Sequence, residues 1–239
     1  MARVVKEAEY ASKRTEILDS ALRLVYTKGY ERMTIQDILD DLQISKGAFY
    51  HYFDSKPAVL EAMTERMQTD VQQALTDITH DPDASALEKL QRYFGTFDRF
   101  RMAHQSTVIN LLCVWYTDDN AIVRQKVDAA VIQWRAPRIS GMVQQGIAEG
   151  ALTVVYADLA AEIILALMQS MGSTHAHLLL SLADDHDEER CIAGIVRSHA
   201  AYMDAVERVL GTPSNAFYRV DADAVRIWVN AIEHTPGKN

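Results

Sequence analysis

The sequence predicts an all-α fold: an N-terminal three-helix head containing a helix-turn-helix, followed by a larger helical body. Three observations predict it. Apolar residues recur at helical spacing along most of the 239 residues, while glycine and proline are few, 10 and 5. Two helix N-cap signatures lie close together, at Thr34 and Ser45. The stretch after the second cap is short, aromatic and polar on its outside, which a purely structural helix does not require. The expected division is a head over 11–71 and a body over 72–239.

The head is read element by element. Ile17, Ala21, Leu24 and Val25 predict a first helix over about 11–28, with Gly29 as its C-cap and Tyr30 packing back. The chain is expected to begin with a short solvated tail, and Arg3, Lys6, Lys13 and Arg14 are basic enough to touch a phosphate. Thr34 suits an N-cap, and Asp37 sits three residues on, where its side chain can reach back as in a capping box. Met33 and Ile38 complete a hydrophobic staple. Ser45 repeats the signal, flanked by Ile44 and Phe49. One helix therefore covers about 34–41, another starts at Ser45, and a few residues join them, the spacing of a helix-turn-helix. Phe49 and Phe53, four apart, anchor the second helix inward. Lys46, Gly47, Ala48, Tyr50, His51 and Tyr52 face outward: a cation, two small residues that let the backbone approach a groove, and three flat side chains with hydrogen-bonding tips. Ser55, Lys56 and Pro57 read as a third cap with proline in the first turn.

Ser45 to Lys56, preceded by Thr34-Ile35 and followed by Leu60, resembles the DNA-binding head of TetR-type (TetR/AcrR) transcriptional regulators. The resemblance is strong over roughly 11–70 and rests on length and helical pattern beyond. Two positions depart from it: Leu42-Gln43 stands where the family often has Ala-Gly, and Leu39 where it has a small residue. Gln43 then has to take a left-handed turn conformation without a glycine's freedom.

The body continues the helical pattern. Val59, Leu60, Met63, Met67, Val71, Leu75 and Ile78 form an apolar stripe over 55–78. His80 to Asp83 break it. Helices are expected over 84–102, 106–116 and from Asp118-Asp119 to about Glu149, the last kinked or split at Pro137 and ended by Gly150. Thr153 to Tyr156 is a connector. A helix over 157–182 is apolar on most sides and must be covered by something. Helices over 188–210 and 221–233 complete the chain.

Composition bounds the function. The net charge is −9, yet residues 1–56 carry nine bases and nine acids, so the excess acid lies in the body. An acidic body would orient a nucleic-acid binder head first, and a neutral head leaves binding dependent on fit. The N-terminus lacks an apolar secretory segment and no run of 18 apolar residues occurs, so a cytoplasmic protein without a membrane span is expected. Cys113 and Cys191 read as buried free thiols. His175 and His177 are two apart on a helix and cannot share one ion. His104, His186 and His199 are scattered, so no metal site is expected. No nucleophile elbow or phosphate loop exists, so no enzyme and no cofactor are expected.

The resemblance implies a ligand-responsive DNA-binding regulator, most simply a repressor released from its operator by a small molecule. Its DNA-contact set would be Thr34, Gln36, Ser45, Lys46, Gly47, Ala48, Tyr50, His51, Tyr52 and Lys56. It also implies a homodimer on two-fold symmetric double-stranded DNA, paired through the helices near 157–182 and 188–210. Pocket candidates for the effector are Phe97, Phe100, Met102, Trp115, Tyr116, Trp134, Met168, Met171 and His175. Their aromatic and methionine character suits an apolar or flat ligand. Two alternatives remain at this point: a regulator whose ligand promotes DNA binding, and a helical ligand-binding module that no longer binds DNA.

Overall fold

The computed structural model describes residues 2–103, 105, 108–109, 112 and 115–233, without the side chains of residues 2–7, 64, 67–74, 98, 100, 103 and 233. Among the described residues the regular elements are all helical: α1 (Ala2–Lys28), α2 (Ile35–Leu42), α3 (Lys46–Tyr50), α4 (Lys56–Thr79), α5 (Ala86–Ala103), a 3-10 turn (Asp118–Asn120), α6 (Ala121–Ala148), α7 (Ala160–Asp185), α8 (Glu188–Leu210) and α9 (Ala222–Glu233). The chain forms two compact units, residues 1–71 with 114–127, and residues 72–113 with 128–239. A single division after residue 71 thus leaves out a segment that returns to the head.

That segment is bound by specific contacts. Gly29 ends α1 with φ +84, and a Cβ there would lie 2.5 Å from the Asp119 side chain. Glu31 donates its N–H to the Asp119 carbonyl at 3.0 Å, and Tyr30 donates to Oδ1 of the fully buried Asn120 at 2.7 Å. Arg32 pairs with Asp119 at 2.7 Å. The sequence reading did not single out Asn120, which is fully buried and holds this segment to Tyr30.

α1 begins at Ala2, so the expected tail is helical; no glycine or proline lies between residues 2 and 28 to stop it. Ile17, Ala21 and Val25 are buried, as the spacing predicts. α2 and α3 are short and held from outside. Asp41 accepts from Ser20 at 2.5 Å and from Arg23 at 2.6 Å, both on α1. Phe49 is fully buried and Phe53 nearly so. Gln43 adopts φ 51, ψ 44, the left-handed conformation, and its N–H caps the Leu39 carbonyl. α4 starts after Ser55, whose hydroxyl accepts from the Ala58 N–H at 3.2 Å.

In the second unit α6 runs unbroken through Pro137, which corrects the expected split. Pro137 and Gln133, whose carbonyl loses its partner, both lie on the exposed face, where water can supply the missing bond. Gly150 (φ +69) ends the following turn, and 153–156 is a connector, with Thr153 donating to the Leu210 carbonyl at 3.1 Å. α7 packs on α8, and Leu179, Ile192, Ile195, Val225 and Val229 share one cluster with α9. Cys191 is buried with its thiol on the Leu178 carbonyl, and Cys113 lies outside the described residues.

Two further features mark this unit. Glu207 is 2 % exposed, and it accepts from Arg219 at 2.7 Å and from the N–H groups of Asn215 and Phe217 at 3.1 Å each. Burial alone would raise its carboxyl, but Arg219 and the two N–H groups outweigh it and hold it below the usual value. The clamp fixes residues 215–219 against α8. The other feature is α7. By length and composition it is apolar enough to cross a membrane, although its apolar residues form no unbroken run, and only 28 % of its most apolar 18-residue window is buried within the chain.

Replacing Gln43 with glycine removes the strain of a left-handed non-glycine residue, about 1 kcal/mol. Gln43→Gly is expected to raise Tm by about 2–4 °C in a thermal melt. An unchanged or lowered Tm would show that the turn carries no such strain.

Candidate nucleic-acid interface

The polar surface of α2 and α3 is built by their caps. Thr34 Oγ1 accepts from the Asp37 N–H at 3.2 Å, while Asp37 Oδ2 accepts from the Thr34 N–H at 2.7 Å, a complete capping box. Lys28 at the end of α1 donates to Asp37 Oδ1 at 2.6 Å. That hydrogen bond, and then those from Thr34, lower the Asp37 carboxyl to about 2. Ser45 Oγ accepts from the Ala48 N–H at 3.1 Å and so starts α3.

α3 has five residues, with His51 and Tyr52 in the turn that follows. Ser45, Lys46, Gly47, Tyr50 and His51 are exposed on one contiguous stretch, with Ala48 and Tyr52 half-buried. Lys46 Nζ lies 5.9 Å from the Tyr50 ring centroid. Thr34 and Gln36 are exposed at the start of α2, and Gln36 donates to Asp40 at 2.7 Å. Lys56 is turned partly inward: Nζ donates to the Glu31 carbonyl at 3.2 Å and sits 4.3 Å over the Tyr30 ring. Burial holds its ammonium below the ordinary value.

Gly47 is the informative residue. A Cβ there would meet only Ser45 Oγ, at 4.0 Å, and the backbone is not left-handed. Neither packing nor conformation within the chain calls for glycine, although glycine in a helix costs about 0.5–1 kcal/mol relative to alanine. From sequence a small residue is expected here so that a groove can approach the backbone.

One residue of this surface was missed by the sequence reading. Tyr10, 40 % exposed, packs on Tyr52 at 4.8 Å and on the edge of His51 at 5.6 Å. It braces the end of the exposed stretch from α1. The signal was present in the phase: Tyr10, Arg14, Ile17 and Ala21 share one helical face, and Arg14 stacks over Phe53 at 4.9 Å.

Among the described residues of the second unit lie cavities of about 390 and 330 Å³, both walled by Met171, His199 and Tyr218. Of the expected pocket residues, Met168 lines the first, Met102 and His175 the second, and Met171 both. Trp115 and Tyr116 belong to the other unit, where Arg124 donates to the Trp115 carbonyl at 2.6 Å and covers the Tyr116 ring at 5.2 Å. Phe97 and Trp134 line neither cavity, because arginines occupy their faces: Arg135 over Phe97 at 3.8 Å and Arg138 over Trp134 at 4.2 Å. The Phe100 side chain and His104 lie outside the described residues. Phe94, Phe217, Tyr218 and Trp228 form walls that the sequence reading missed. Among the described residues no group of three or more metal-ligating side chains forms.

Residues 17–63 match the family model described as bacterial regulatory proteins, tetR family. The HTH-type transcriptional repressor DhaR of Mycobacterium sp. (strain GP1) is 24 % identical over 124 residues, 52 % of this chain and 62 % of DhaR. The HTH-type transcriptional repressor NemR of Escherichia coli (strain K12) is 30 % identical over 81 residues, 34 % of this chain and 41 % of NemR. The chain thus spans less than two thirds of the length of these relatives. The crystal structure of E. coli NemR in its reduced form has the same fold, with a TM-score of 0.50 and 20 % identity, over 84 % of this chain and 98 % of that one.

Two outcomes test the surface. The depressed Asp37 carboxyl contributes stability that is complete above about pH 4 and is lost as the pH falls through about 2. Asp37→Asn is therefore expected to be less stable than wild type by about 1 kcal/mol near neutrality, with the gap closing in urea melts toward pH 2. Gly47→Ala is expected to raise stability by about 0.5–1 kcal/mol while weakening DNA binding. Tighter or unchanged DNA binding in Gly47→Ala would remove the case for a close external approach.

Proposed function

We propose that the chain, whose residues 17–63 match the tetR-family model, is a homodimeric, DNA-binding transcriptional repressor released from its operator by a small molecule. The observation that carries the reading is the capped, exposed stretch from Ser45 to His51, with a glycine that has no internal reason. In this reading α3 enters the major groove, Lys46 and Tyr50 meet phosphates and base edges, and the Thr34 cap sets α2 across the backbone. Tyr10 keeps His51 and Tyr52 in place. The head is neutral, so affinity depends on how well these groups fit one sequence.

α7 supports the dimer. A helix this apolar and this incompletely buried needs cover. Packing α7 and α8 of two protomers against each other as a four-helix bundle supplies it, and closed two-fold pairs are the commonest assembly. The operator would then carry two half-sites about 34–36 Å apart. The two cavities are the effector site in this reading. α4 runs from the first unit into the second, so it is the element through which an effector would alter the heads. Because release is a difference in affinity, the effector must bind the DNA-incompetent arrangement better. The protein would act in the cytoplasm and catalyse no reaction.

The test is fluorescence anisotropy over a salt series, with DNA flanking the protein's own gene, alongside sedimentation. Nanomolar, salt-dependent binding by a species of twice the chain mass is expected, with Lys46→Ala reducing the salt slope by about one. A folded monomer, or a folded dimer that selects no fragment from the whole genome at low salt, would overturn the reading.

A further inference from the structure

The two cavities carry a charge signature opposite to that of the chain. The sequence holds 33 acids against 24 bases. Among the described residues, however, no aspartate or glutamate lines either cavity, whereas Arg99 lines one and Arg101 the other. The two arginines are two apart on α5, roughly 200° around its axis, so they project to opposite sides. Glu207, the buried acid that fixes Phe217, is already neutralised by Arg219.

Arg99 is placed to receive an anion. Its Nη2 donates to Thr96 Oγ1 at 3.0 Å, and a hydroxyl does not neutralise a guanidinium. Gly95 lies beneath it: a Cβ there would stand 3.3 Å from Arg99 Nη1. The guanidinium is exposed, at the edge of a cavity otherwise walled by Phe94, Met168, Met171, Met203 and Phe217. Arg135 is a separate cation that lines neither cavity. Arg135, stacked on Phe97, has no hydrogen-bond partner for Nε among the described residues. Burial above all, and with it the like charge of Arg101, hold its guanidinium below the ordinary value.

This arrangement selects a ligand with one charged end. Burying a carboxylate is costly unless it is paired and hydrogen-bonded. An arginine at the mouth lets the acid stay partly hydrated while forming two parallel hydrogen bonds. An apolar skeleton can then run inward past Met171, His199 and Tyr218, which both cavities share, toward Trp228.

We propose that these cavities bind an amphipathic carboxylic acid, with its carboxylate on Arg99 and its apolar skeleton across the shared wall. The inference rests on reading the cavities as the effector site, but its test does not need DNA. The probes are decanoate, decan-1-ol and decylamine, with 2-naphthoate and 2-naphthalenemethanol as a flat pair, titrated calorimetrically into the full chain. At least one acid is expected to bind ten-fold or more tighter than its alcohol, with decylamine weaker than decanoate. Arg99→Gln is expected to abolish the acid's advantage and leave the alcohol's affinity unchanged, and Arg99→Lys to restore part of it. Circular dichroism confirms that each variant is folded. Alcohols that match their acids, an acid advantage that survives in Arg99→Gln, or no acid binding to the folded protein would overturn the proposal. Operator affinity is measured separately. Acids that bind through Arg99 without altering it would remove their effector role and leave this inference standing. A neutral compound that releases DNA, with no acid bound, would do the reverse.

Discussion

The hydrogen bonds that tie α2 to the end of α1 are the constraint on which the head depends. Helices of eight and five residues do not form alone in water, since nucleation consumes more conformational entropy than so few bonds return. Here α1 supplies the missing order. Ser20 and Arg23 hold Asp41 at one end of α2, and Lys28 holds Asp37 at the other. The Asp37 and Thr34 cap then fixes where the chain enters α2, Gln43 fixes where it turns, and Ser45 starts α3 with Phe49 already committed to the core. The exposed face of α3 is thus set by bonds it does not itself make. That is why α3 can carry a glycine and exposed polar and aromatic residues without having to be stable as a helix on its own.

The second unit uses a comparable device in a different place. Residues 215–219 have no periodicity and would be a loop of arbitrary path. Glu207 gives them one path by accepting from three donors at once. Phe217 and Tyr218 thereby become walls of a cavity, with Phe217 also set edge-on to Phe94 at 5.4 Å. Removing one partner of such a buried pair leaves an uncompensated charge, so the clamp and the cavity stand or fall together.

What could be read from sequence followed from local rules. The caps at Thr34, Ser45 and Ser55, the end of α1 at Gly29 and the left-handed Gln43 each depend on a few neighbouring residues, and all are present in the structure. Where reading failed, the deciding partner was far away. Asn120 is buried because Tyr30, 90 residues earlier, donates to it. Pro137 does not break α6 because its face happens to be exposed. Phe97 and Trp134 looked like cavity walls until arginines were found on their faces. Trp115 and Tyr116 lie in the other unit altogether. Tyr10 is the exception, since its helical phase with Ile17 was visible and only the assumption of a tail concealed it.

α7 connects the two unmet demands of the second unit. Met168 faces one cavity, His175, Ala176 and Leu179 face the other and Met171 faces both, while Ile163 near its start is exposed. On the proposed dimer, the helix that walls the ligand site is also the helix that pairs with its copy. A ligand that repacks Met171 or His175 must then work against a surface closed by two-fold symmetry, where a shift in one protomer meets the same shift in the other. Close-packed interfaces resist graded deformation and favour a choice between discrete arrangements. An effector need therefore supply only the difference in free energy between two packings of α7, and contacts confined to the cavities can provide it.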